Sequence, residues 1–412
     1  MRHLIKYRSN KVIIDKKIID DVLTRGVEQI FPDKETLQKL LLSGKKIRLY
    51  CGFDPTATSL HLGHGMTIRK LAQFQRLGHE VIFLFGGFTA MIGDPTDKAQ
   101  ARKALTAMQV RANMKGWKKQ IANLIDTRKT LFKNNYSWLS RLNFSHILQL
   151  TSYFTAQQML ARDMFQKRLA EGKDLYLNEF MYPLMQAYDS VALDVDLEIG
   201  GNDQMFNMLA GRALMKKMKN KEKCVLTLKL LADPTGKKMG KTEGNMIALT
   251  DKPEDMFGKV MSWTDEMIVP ALEILTDAPM ELVKAAAAKL KSGAINPRDA
   301  KMDLAYDIVE IYLGKQAAEK GREYFKRVVQ EKEKPAEVPE IAVAVKGKIG
   351  VTDLFLRAGL VASSSEARRL IKEKALKIDD QLVAHHEFET IIPADGLLLQ
   401  RGRRQFVKVK SK

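Results

Sequence analysis

The sequence contains only two cysteines, Cys51 and Cys224, among its 412 residues. Two widely separated cysteines are too few for a disulfide framework or a four-cysteine zinc site. No apolar run approaches the ~20 residues that a membrane span needs, and the amino-terminal residues lack the continuous apolar stretch of a signal peptide. These absences favour a cytoplasmic protein without a membrane span and without a metal held by its own side chains.

The chain is long for one domain and strongly basic. Its 412 residues predict two or three domains. Its formal net charge is +19, and polyanions are candidate partners because each Lys or Arg near a phosphate displaces condensed counterions. Residues 99–133 hold nine basic residues against one acidic residue, and residues 398–412 hold six against none. Two separate basic patches suggest an extended ligand, although charge alone names no partner.

Four apolar segments in the first 230 residues predict buried strands. Residues 46–53 and 80–85 are separated by apolar residues at helical spacing, which is typical of a βαβ unit. Residues 196–199 and 224–228 give two more strands, again separated by a helical pattern. The expected fold class is therefore α/β, with a Rossmann-like, doubly wound parallel sheet whose ligands bind at the carboxyl ends of the strands.

The rest of the chain predicts three further parts. From about residue 252 the pattern is almost wholly helical, and residues 331–348, which include Pro335 and Pro339, have the low apolar content of a linker. A small α+β segment follows, in which Ser365 is the candidate cap of a basic helix. The expected domains are 1–248 for the sheet, 249–332 for the helices, 333–348 for the linker and 349–412 for the small α+β domain.

Two histidines open the helix that joins the first two predicted strands. His61 and His64 stand in the run HLGH, where free backbone N–H groups and the helix dipole favour phosphate. Their spacing also suits a metal pair, but no third His, Cys or carboxylate lies at the spacing of a zinc enzyme. A phosphate site, a metal pair and two ordinary surface histidines all remain open on this motif alone.

A basic loop with several glycines lies far downstream, at residues 237–245. Its sequence KKMGKTEGN nearly matches a P-loop, but the pattern requires glycine at position 235, where this chain has Thr235. Taken alone, the loop is more typical of a solvated basic surface than of a nucleotide site.

A third group of polar residues has helical spacing. Tyr182, Gln186 and Asp189 are separated by four and three residues, so one helix face presents a phenol, an amide and a carboxylate. Three such groups could converge on one small ligand, although an ordinary exposed polar face has the same pattern.

Together these segments resemble the bacterial tyrosyl-tRNA synthetases, which belong to the class I aminoacyl-tRNA synthetases. HLGH and KMGKT correspond to the class I signatures that are commonly written HIGH and KMSKS, and residues 50–57, 93–95 and 200–204 extend the likeness over nearly the whole chain. The resemblance implies that ATP activates L-tyrosine to tyrosyl-adenylate with release of pyrophosphate, and that tyrosine then passes to the 3′ end of tRNA(Tyr). No protein nucleophile is needed, because this catalysis consists of positioning and electrostatic stabilisation.

The resemblance also implies roles for individual residues. Tyrosine would be bound at its hydroxyl by Tyr50 and Asp189, at its ammonium group by Asp94, Tyr182 and Gln186, and near its carboxylate by Gln204. ATP would be bound by Cys51, Gly52, Asp54, Thr56, His61, Gly63, His64, Thr67, Gly201, Asp203, Lys238 and Lys241. The implied catalytic set is His61, His64, Thr56, Lys98, Arg102, Lys238 and Lys241.

The carboxyl-terminal segment resembles the S4-type RNA-binding module that ends many members of this family. The likeness includes a turn at Asp379 and Asp380 as well as the basic charge. The residues implied to contact RNA are Arg368, Arg369, Lys372, Arg401, Arg403 and Arg404. The resemblance further implies ATP with Mg²⁺ as substrate, no tightly bound cofactor, and a homodimer.

Three other functions share part of this pattern. A tryptophanyl-tRNA synthetase shares the fold and the chemistry, but the pair Tyr50 and Asp189 favours a phenol as ligand. Another nucleotidyltransferase would not need the helical and S4-like segments. A noncatalytic RNA-binding relative would not need His61, His64 and both loop lysines.

Overall fold

A computed structural model describes residues 11–95, 105–232, 246–330, 338–344, 347–402 and 405–411. The chain divides into two compact units. The first consists of Met1–Lys252 and Met261–Lys315, and the second of Pro253–Val260 and Gln316–Lys412. Within the described ranges, no helix has the length and apolar character required to cross a membrane.

Six strands of the described chain form the sheet of the first unit. They are β1 (Val27–Phe31), β2 (Arg48–Phe53), β3 (Glu80–Phe85), β4 (Leu131–Asn134), β5 (Leu197–Gly201) and β6 (Cys224–Leu228). Their order in the sheet is β1-β6-β5-β2-β3-β4. Strand β1 pairs antiparallel with β6, and all other neighbours are parallel. The expected Rossmann-like α/β fold is confirmed, with an antiparallel strand added at one edge.

The two edge strands were not predicted from the sequence. Strand β1 exposes Glu28 and Gln29, and β4 alternates between exposed and half-buried residues. By contrast, every residue of β6 is buried, as expected for an interior parallel strand. Edge strands lack the apolar run that marks strands covered on both faces, which explains why the pattern missed them.

Helices connect and cover these strands. In chain order they are α1 (Lys16–Thr24), α2 (Lys34–Leu42), α3 (Leu62–Arg76), α4 (Thr89–Ile92), α5 (Ala107–Met114), α6 (Trp117–Gln120), α7 (Tyr136–Leu139), α8 (Phe144–Thr151), α9 (Ala156–Leu160), α10 (Asp163–Ala170), α11 (Leu177–Leu193) and α12 (Met205–Lys219). The helical stretch that follows contains α13 (Pro253–Met261), α14 (Ile268–Leu275), α15 (Met280–Lys291), α16 (Pro297–Leu313) and α17 (Lys315–Tyr324). A turn of π-helix, Phe325–Gln330, ends this stretch.

The strand order reverses beside β2. From β2 the chain proceeds through β3 to β4 on one side of the sheet, and it later adds β5 and β6 on the other side. Ligands of doubly wound sheets bind where the strand order reverses, outside the carboxyl ends of the strands. Here that point lies between the ends of β2 and β5.

The carboxyl-terminal part of the second unit is a small α+β structure. Its elements are β7 (Glu340–Val343), β8 (Lys348–Gly350), α18 (Val351–Arg357), α19 (Ser364–Lys372), β9 (Leu376–Ile378), β10 (Gln381–Leu382), β11 (Glu389–Ile391), β12 (Leu397–Arg401) and β13 (Gln405–Ser411). One sheet has the order β10-β9-β12-β13-β7, and β8 pairs with β11. Both helices bury their apolar faces in one core. Strand β7 lies within the segment whose composition suggests a linker.

Two local predictions for this segment have different outcomes. The turn at Asp379 and Asp380 is confirmed, since both residues have positive φ, 46° and 70°, between β9 and β10. The cap assigned to Ser365 is wrong. The cap is Ser363, whose extended backbone lets its hydroxyl accept a hydrogen bond from the backbone N–H of Glu366 at 3.2 Å.

Candidate active site

The HLGH motif forms the first turn of α3. His61 is the cap residue, and its Nδ1 accepts a hydrogen bond from the backbone N–H of Gly63 at 3.1 Å. The backbone N–H of His61 in turn donates to Nδ1 of His64 at 3.2 Å, and the ring centroids lie 3.8 Å apart. Because both Nδ1 atoms accept, each neutral ring carries its proton on Nε2.

Burial keeps both imidazoles uncharged. It lowers the pKa of His61 to about 4. Burial, together with the neighbouring His61, lowers the pKa of His64 well below its usual value. Two neutral N–H donors at a helix N-terminus suit the oxygens of a phosphate group, whose negative charge the helix dipole also favours.

The chain that follows the basic loop returns to this motif. The backbone N–H of Leu62 donates to the carbonyl of Ile247 at 3.1 Å, and that of Leu249 donates to Leu60 at 2.8 Å. His61 and Ala248 form an antiparallel bridge. Four basic residues predicted to act here lie outside the described residues, namely Lys98, Arg102, Lys238 and Lys241.

Tyr50, at the centre of β2, faces helix α11. Its ring is fully buried, and its hydroxyl lies 2.9 Å from Oγ of Ser190. Either hydroxyl can donate in this contact, and the Tyr50 hydroxyl also lies 3.5 Å from the carbonyl oxygen of Gln186. A phenol hydroxyl can donate and accept, so Tyr50 is suited to bind a polar group of a ligand. Burial and the nearby carboxylates of Glu198 and Asp189 raise the pKa of Tyr50 well above its usual value, which keeps the phenol protonated.

Gln186 lies one turn before Ser190 on the same helix. Its Nε2 donates to Oε1 of Glu198 at 3.0 Å. Oε2 of Glu198 bonds Lys223, and Lys223 also donates to Ser190 at 2.8 Å. Burial lowers the pKa of Lys223, and Glu198 opposes that shift. These contacts join α11, β5 and the start of β6 in one buried network.

Asp189 accepts two hydrogen bonds from the segment after β4. Asn135 Nδ2 donates to one carboxylate oxygen at 3.0 Å, and Trp138 Nε1 donates to the other at 2.7 Å. Burial raises the pKa of Asp189 well above its usual value, although both donors oppose this. The carboxyl group is thus held rigidly in a site where ionisation is costly.

Asp54, just beyond β2, accepts a hydrogen bond from Tyr182, the third polar residue on the face of α11. Tyr182 donates its hydroxyl to Oδ2 at 2.8 Å, and Thr89 donates to Oδ1 at 2.7 Å. Asn135 also donates to Thr89, at 3.1 Å, so that a continuous chain of hydrogen bonds connects Tyr182 with Asp189. A β-carbon at Gly86 would collide with Asp54, which makes glycine necessary there.

Gln204, in the turn after β5, is hydrogen-bonded to Asp94. Gln204 Nε2 donates to Asp94 at 2.6 Å, and its Oε1 accepts from Asn207 at 3.0 Å. A β-carbon at Gly201 would stand 2.5 Å from Oδ1 of Asp203, so glycine at this position lets the Asp203 carboxylate lie close to the backbone of residue 201.

The predicted nucleotide residues near β2 and α3 differ in exposure. Cys51 and Thr67 are 5% and 7% exposed, and burial raises the pKa of the Cys51 thiol well above its usual value. Gly52 is exposed, and a β-carbon there would meet no atom closer than 3.9 Å. The backbone N–H of Thr56 donates to the carbonyl of Asp54 at 2.8 Å.

The structure thus brings Tyr50, Gln186 and Asp189 to one side of α11, and it joins Tyr182 to Asp54 and Asp94 to Gln204. Sequence reasoning missed the side chains that hold these groups, which are Thr89, Asn135, Trp138, Ser190, Glu198, Asn207 and Lys223. A signal existed for Glu198 alone, since a charged residue inside a predicted buried strand needs a partner.

The residues predicted to contact RNA lie in the second unit. Arg368, Arg369 and Lys372 are exposed on α19. Arg401 instead donates to the carbonyl of Leu360 at 2.6 Å and to a carboxylate oxygen of Glu366 at 2.8 Å. Arg403 and Arg404 lie outside the described residues.

The chain matches a family model described as tRNA synthetases class I (W and Y), over residues 42–330. It belongs to this family. The family resemblance inferred from the sequence motifs is therefore confirmed.

Its relatives include tyrosine–tRNA ligases of bacteria. The chain is 40% identical over 397 residues to that of Carboxydothermus hydrogenoformans, covering 94% of this chain and 97% of the relative. It is 42% identical over 389 residues to that of Colwellia psychrerythraea, again covering 94% and 97%.

Solved structures support the fold. A tyrosyl-tRNA synthetase from Archaeoglobus fulgidus, complexed with L-tyrosine, superposes with a TM-score of 0.59 at 23% identity, covering 75% of this chain and 100% of the other. A truncated mitochondrial tyrosyl-tRNA synthetase from Coccidioides posadasii gives 0.60 at 24% identity, covering 74% and 91%.

Proposed function

We propose that this chain is a tyrosine–tRNA ligase, which activates L-tyrosine with ATP and transfers it to the 3′ end of tRNA(Tyr). The observation that carries the proposal is the identity of about 40% to tyrosine–tRNA ligases over 94% of the chain. The geometry supports it, because the side chains suited to tyrosine lie near the point between β2 and β5 where the strand order reverses.

Tyrosine would bind with its phenol between Tyr50 and Asp189. These two groups offer a phenol hydroxyl and a rigid carboxyl group to the hydroxyl of the substrate. Phenylalanine would leave them unpaired in a buried site, which costs free energy. The same polar pair disfavours tryptophan, whose indole carries no hydroxyl group.

The ammonium end of the substrate would be bound by Asp94, Tyr182 and Gln186. Gln204, which is tied to Asp94, would lie near the substrate carboxylate. In the first step that carboxylate attacks the α-phosphate of ATP in line. A carboxylate–phosphorus bond forms, the bond to the β-phosphate breaks, and pyrophosphate leaves.

His61 and His64 would donate hydrogen bonds to the ATP phosphates, with Thr56 beside them. Neutral donors suit this role because they stabilise developing charge without first losing a proton. Lys98, Arg102, Lys238 and Lys241 would neutralise the departing pyrophosphate. Cys51, Thr67, Gly201 and Asp203 would surround the adenosine ribose, with Gly52, Asp54 and Gly63 completing the nucleotide site.

Magnesium would enter with ATP. Among the described residues, no group of three His, Cys, Asp or Glu side chains is placed to hold a metal ion. Mg²⁺ that is bound mainly by phosphates and water needs no such cage.

We also propose that the protein acts in the cytoplasm.

Charging of tRNA tests the complete proposal. Purified protein with ATP, magnesium and tyrosine should esterify tRNA(Tyr), and tRNA(Tyr) with a periodate-oxidised 3′ end should accept none. Charging with another amino acid under the same conditions would contradict the proposal.

The second unit would contact tRNA through α19. Changing Arg368, Arg369 and Lys372 to Glu should raise the KM for tRNA(Tyr) by about tenfold or more, because phosphate contacts are lost. Tyrosine activation should not change. The matched control carries the same charge change at the exposed residues Lys16, Lys17 and Lys39. Equal effects from the two triple variants would contradict a specific role for α19.

We also propose the domain boundaries given above for the sheet domain, the helical domain, the linker and the S4-like domain.

We further propose a homodimer. Phe144 and Leu148 are 76% and 55% exposed and lie one turn apart on α8. A second copy of the chain would cover such a face. Changing both residues to Asp should yield monomers in analytical ultracentrifugation, whereas Asp at Leu282, which is 61% exposed on α15, should not.

A further inference from the structure

An ion pair is buried behind the proposed tyrosine site. Lys223 directly precedes β6, Glu198 lies in β5, and the two residues are 0% and 1% exposed. Replacing a buried ion pair by apolar residues is often neutral or stabilising, so stability alone is a weak reason for such a pair. The neighbours of this pair indicate a different role.

The two oxygens of Glu198 have different partners. Oε1 accepts from Nε2 of Gln186 at 3.0 Å, and Oε2 accepts from Lys223 and from Ser190. A carboxylate can only accept hydrogen bonds. The Gln186 carboxamide must therefore turn its NH₂ group toward Glu198, and its oxygen remains for another partner.

We propose that Lys223 and Glu198 are positioning residues of the tyrosine site, which orient the Gln186 carboxamide so that its oxygen accepts a hydrogen bond from the substrate's ammonium group. The inference rests on the proposed function. Glu198 acts through Gln186, and Lys223 acts through Glu198 by occupying Oε2.

Helix α12 packs against this ion pair at Gly211, where the absence of a side chain leaves space for Lys223 and Glu198. A β-carbon at Gly211 would stand 2.6 Å from Nζ of Lys223, 2.8 Å from Oγ of Ser190 and 3.2 Å from Oε2 of Glu198. Only glycine lets the helix pass over the pair without displacing the lysine.

Glu198→Gln tests the orientation directly. Lys223 only donates, so it should bond the new carboxamide oxygen and leave the new NH₂ group facing Gln186. Gln186 must then invert and present its own NH₂ group to the substrate ammonium. We expect the KM for tyrosine in pyrophosphate exchange to rise about 10- to 100-fold while the KM for ATP stays within twofold.

Two double variants separate orientation from damage to the fold. In Glu198→Gln with Lys223→Met, Ser190 is the remaining partner at that end of the new carboxamide. A hydroxyl can donate or accept, so the carboxamide can rotate and give its oxygen to Gln186 again. The KM for tyrosine should return to within about fivefold of wild type, although damage at neighbouring residues has no reason to reverse in this way. In Glu198→Met with Lys223→Met, the protein should fold, as thermal unfolding will report, but the KM should stay high because Gln186 has lost its partner.

A matched control exists on the same helix. Glu179 of α11 forms a buried ion pair with Arg168 at 2.5 Å. Glu179→Gln should leave the KM for tyrosine unchanged.

The outcomes distinguish this inference from the proposed function. Wild-type protein without tyrosine-dependent exchange would overturn the proposed function. The wild type could be active while Glu198→Gln and the variant with Glu198→Met and Lys223→Met both keep a KM for tyrosine within twofold of the wild-type value. That result would overturn the positioning role alone. A Glu198→Gln defect that Lys223→Met does not relieve would also overturn it.

Discussion

The two ends of the proposed active site are built differently. At the tyrosine end, side chains from α11 and β2 are buried and bonded to one another and to the sheet. At the nucleotide end, two neutral histidines occupy the first turn of α3, where the backbone N–H groups of Leu62 and Gly63 already have partners and the imidazole N–H groups are the donors offered to phosphate. The first arrangement selects a ligand through the cost of leaving buried polar groups unpaired. The second stabilises charge wherever phosphate lies, and it carries little information about the amino acid.

The largest effect should come from Asp189→Asn. The amide cannot accept from both Asn135 and Trp138, and it removes the carboxyl partner of the substrate hydroxyl. We expect kcat/KM for tyrosine to fall about 10³-fold in pyrophosphate exchange, with the KM for ATP unchanged. If the KM for ATP rose equally, the separation between the two ends would be wrong.

His64→Ala should act on rate and not on tyrosine binding. Loss of a phosphate donor should lower the single-turnover rate of adenylate formation about 10²-fold, while tyrosine affinity in equilibrium binding stays nearly constant. Removal of the exposed His386 serves as the control. An unchanged single-turnover rate would contradict the role given to His64.

Tyr50→Phe should have a smaller effect. It removes one hydrogen bond to the substrate, worth about 1 kcal/mol, so kcat/KM for tyrosine should fall roughly fivefold. The kcat/KM for phenylalanine should change little, so the ratio of kcat/KM for tyrosine to that for phenylalanine should decrease. Equal losses for both substrates would show that the hydroxyl of Tyr50 does not recognise the phenol.

The smallest effect concerns proton binding by His61. Its pKa of about 4 in the folded protein lies below the ordinary histidine pKa of 6.5, so the unfolded chain binds more protons between these two pH values. This group's contribution to stability is fully present above pH 6.5 and is lost as the pH falls toward 4. An NMR titration of the ATP-free protein, assigned with a His61→Gln variant, should show a midpoint near 4. A midpoint near 6.5 would contradict the conclusion that burial lowers the pKa of His61.

The sequence predicted those features that depend on local spacing. The strands at β2, β3, β5 and β6 and the polar face of α11 follow from apolar runs and helical periodicity. The side chains that hold this face come from distant segments. Asn135 and Trp138 lie about 50 residues before Asp189, after an edge strand with no apolar run, so no local pattern brings them together.

The same distinction applies to the buried ion pair. Glu198 is visible as a charge in a predicted core strand, but its partner Lys223 resembles an ordinary basic residue between two elements. Their contact follows from the pairing of β5 with β6, which only the folded chain displays.

Amino-acid-dependent exchange of pyrophosphate into ATP tests the central claim most directly. Tyrosine should support exchange, while phenylalanine and tryptophan at equal concentration should support very little. Exchange driven by tryptophan or phenylalanine and not by tyrosine would contradict the assignment of the site formed by Tyr50 and Asp189.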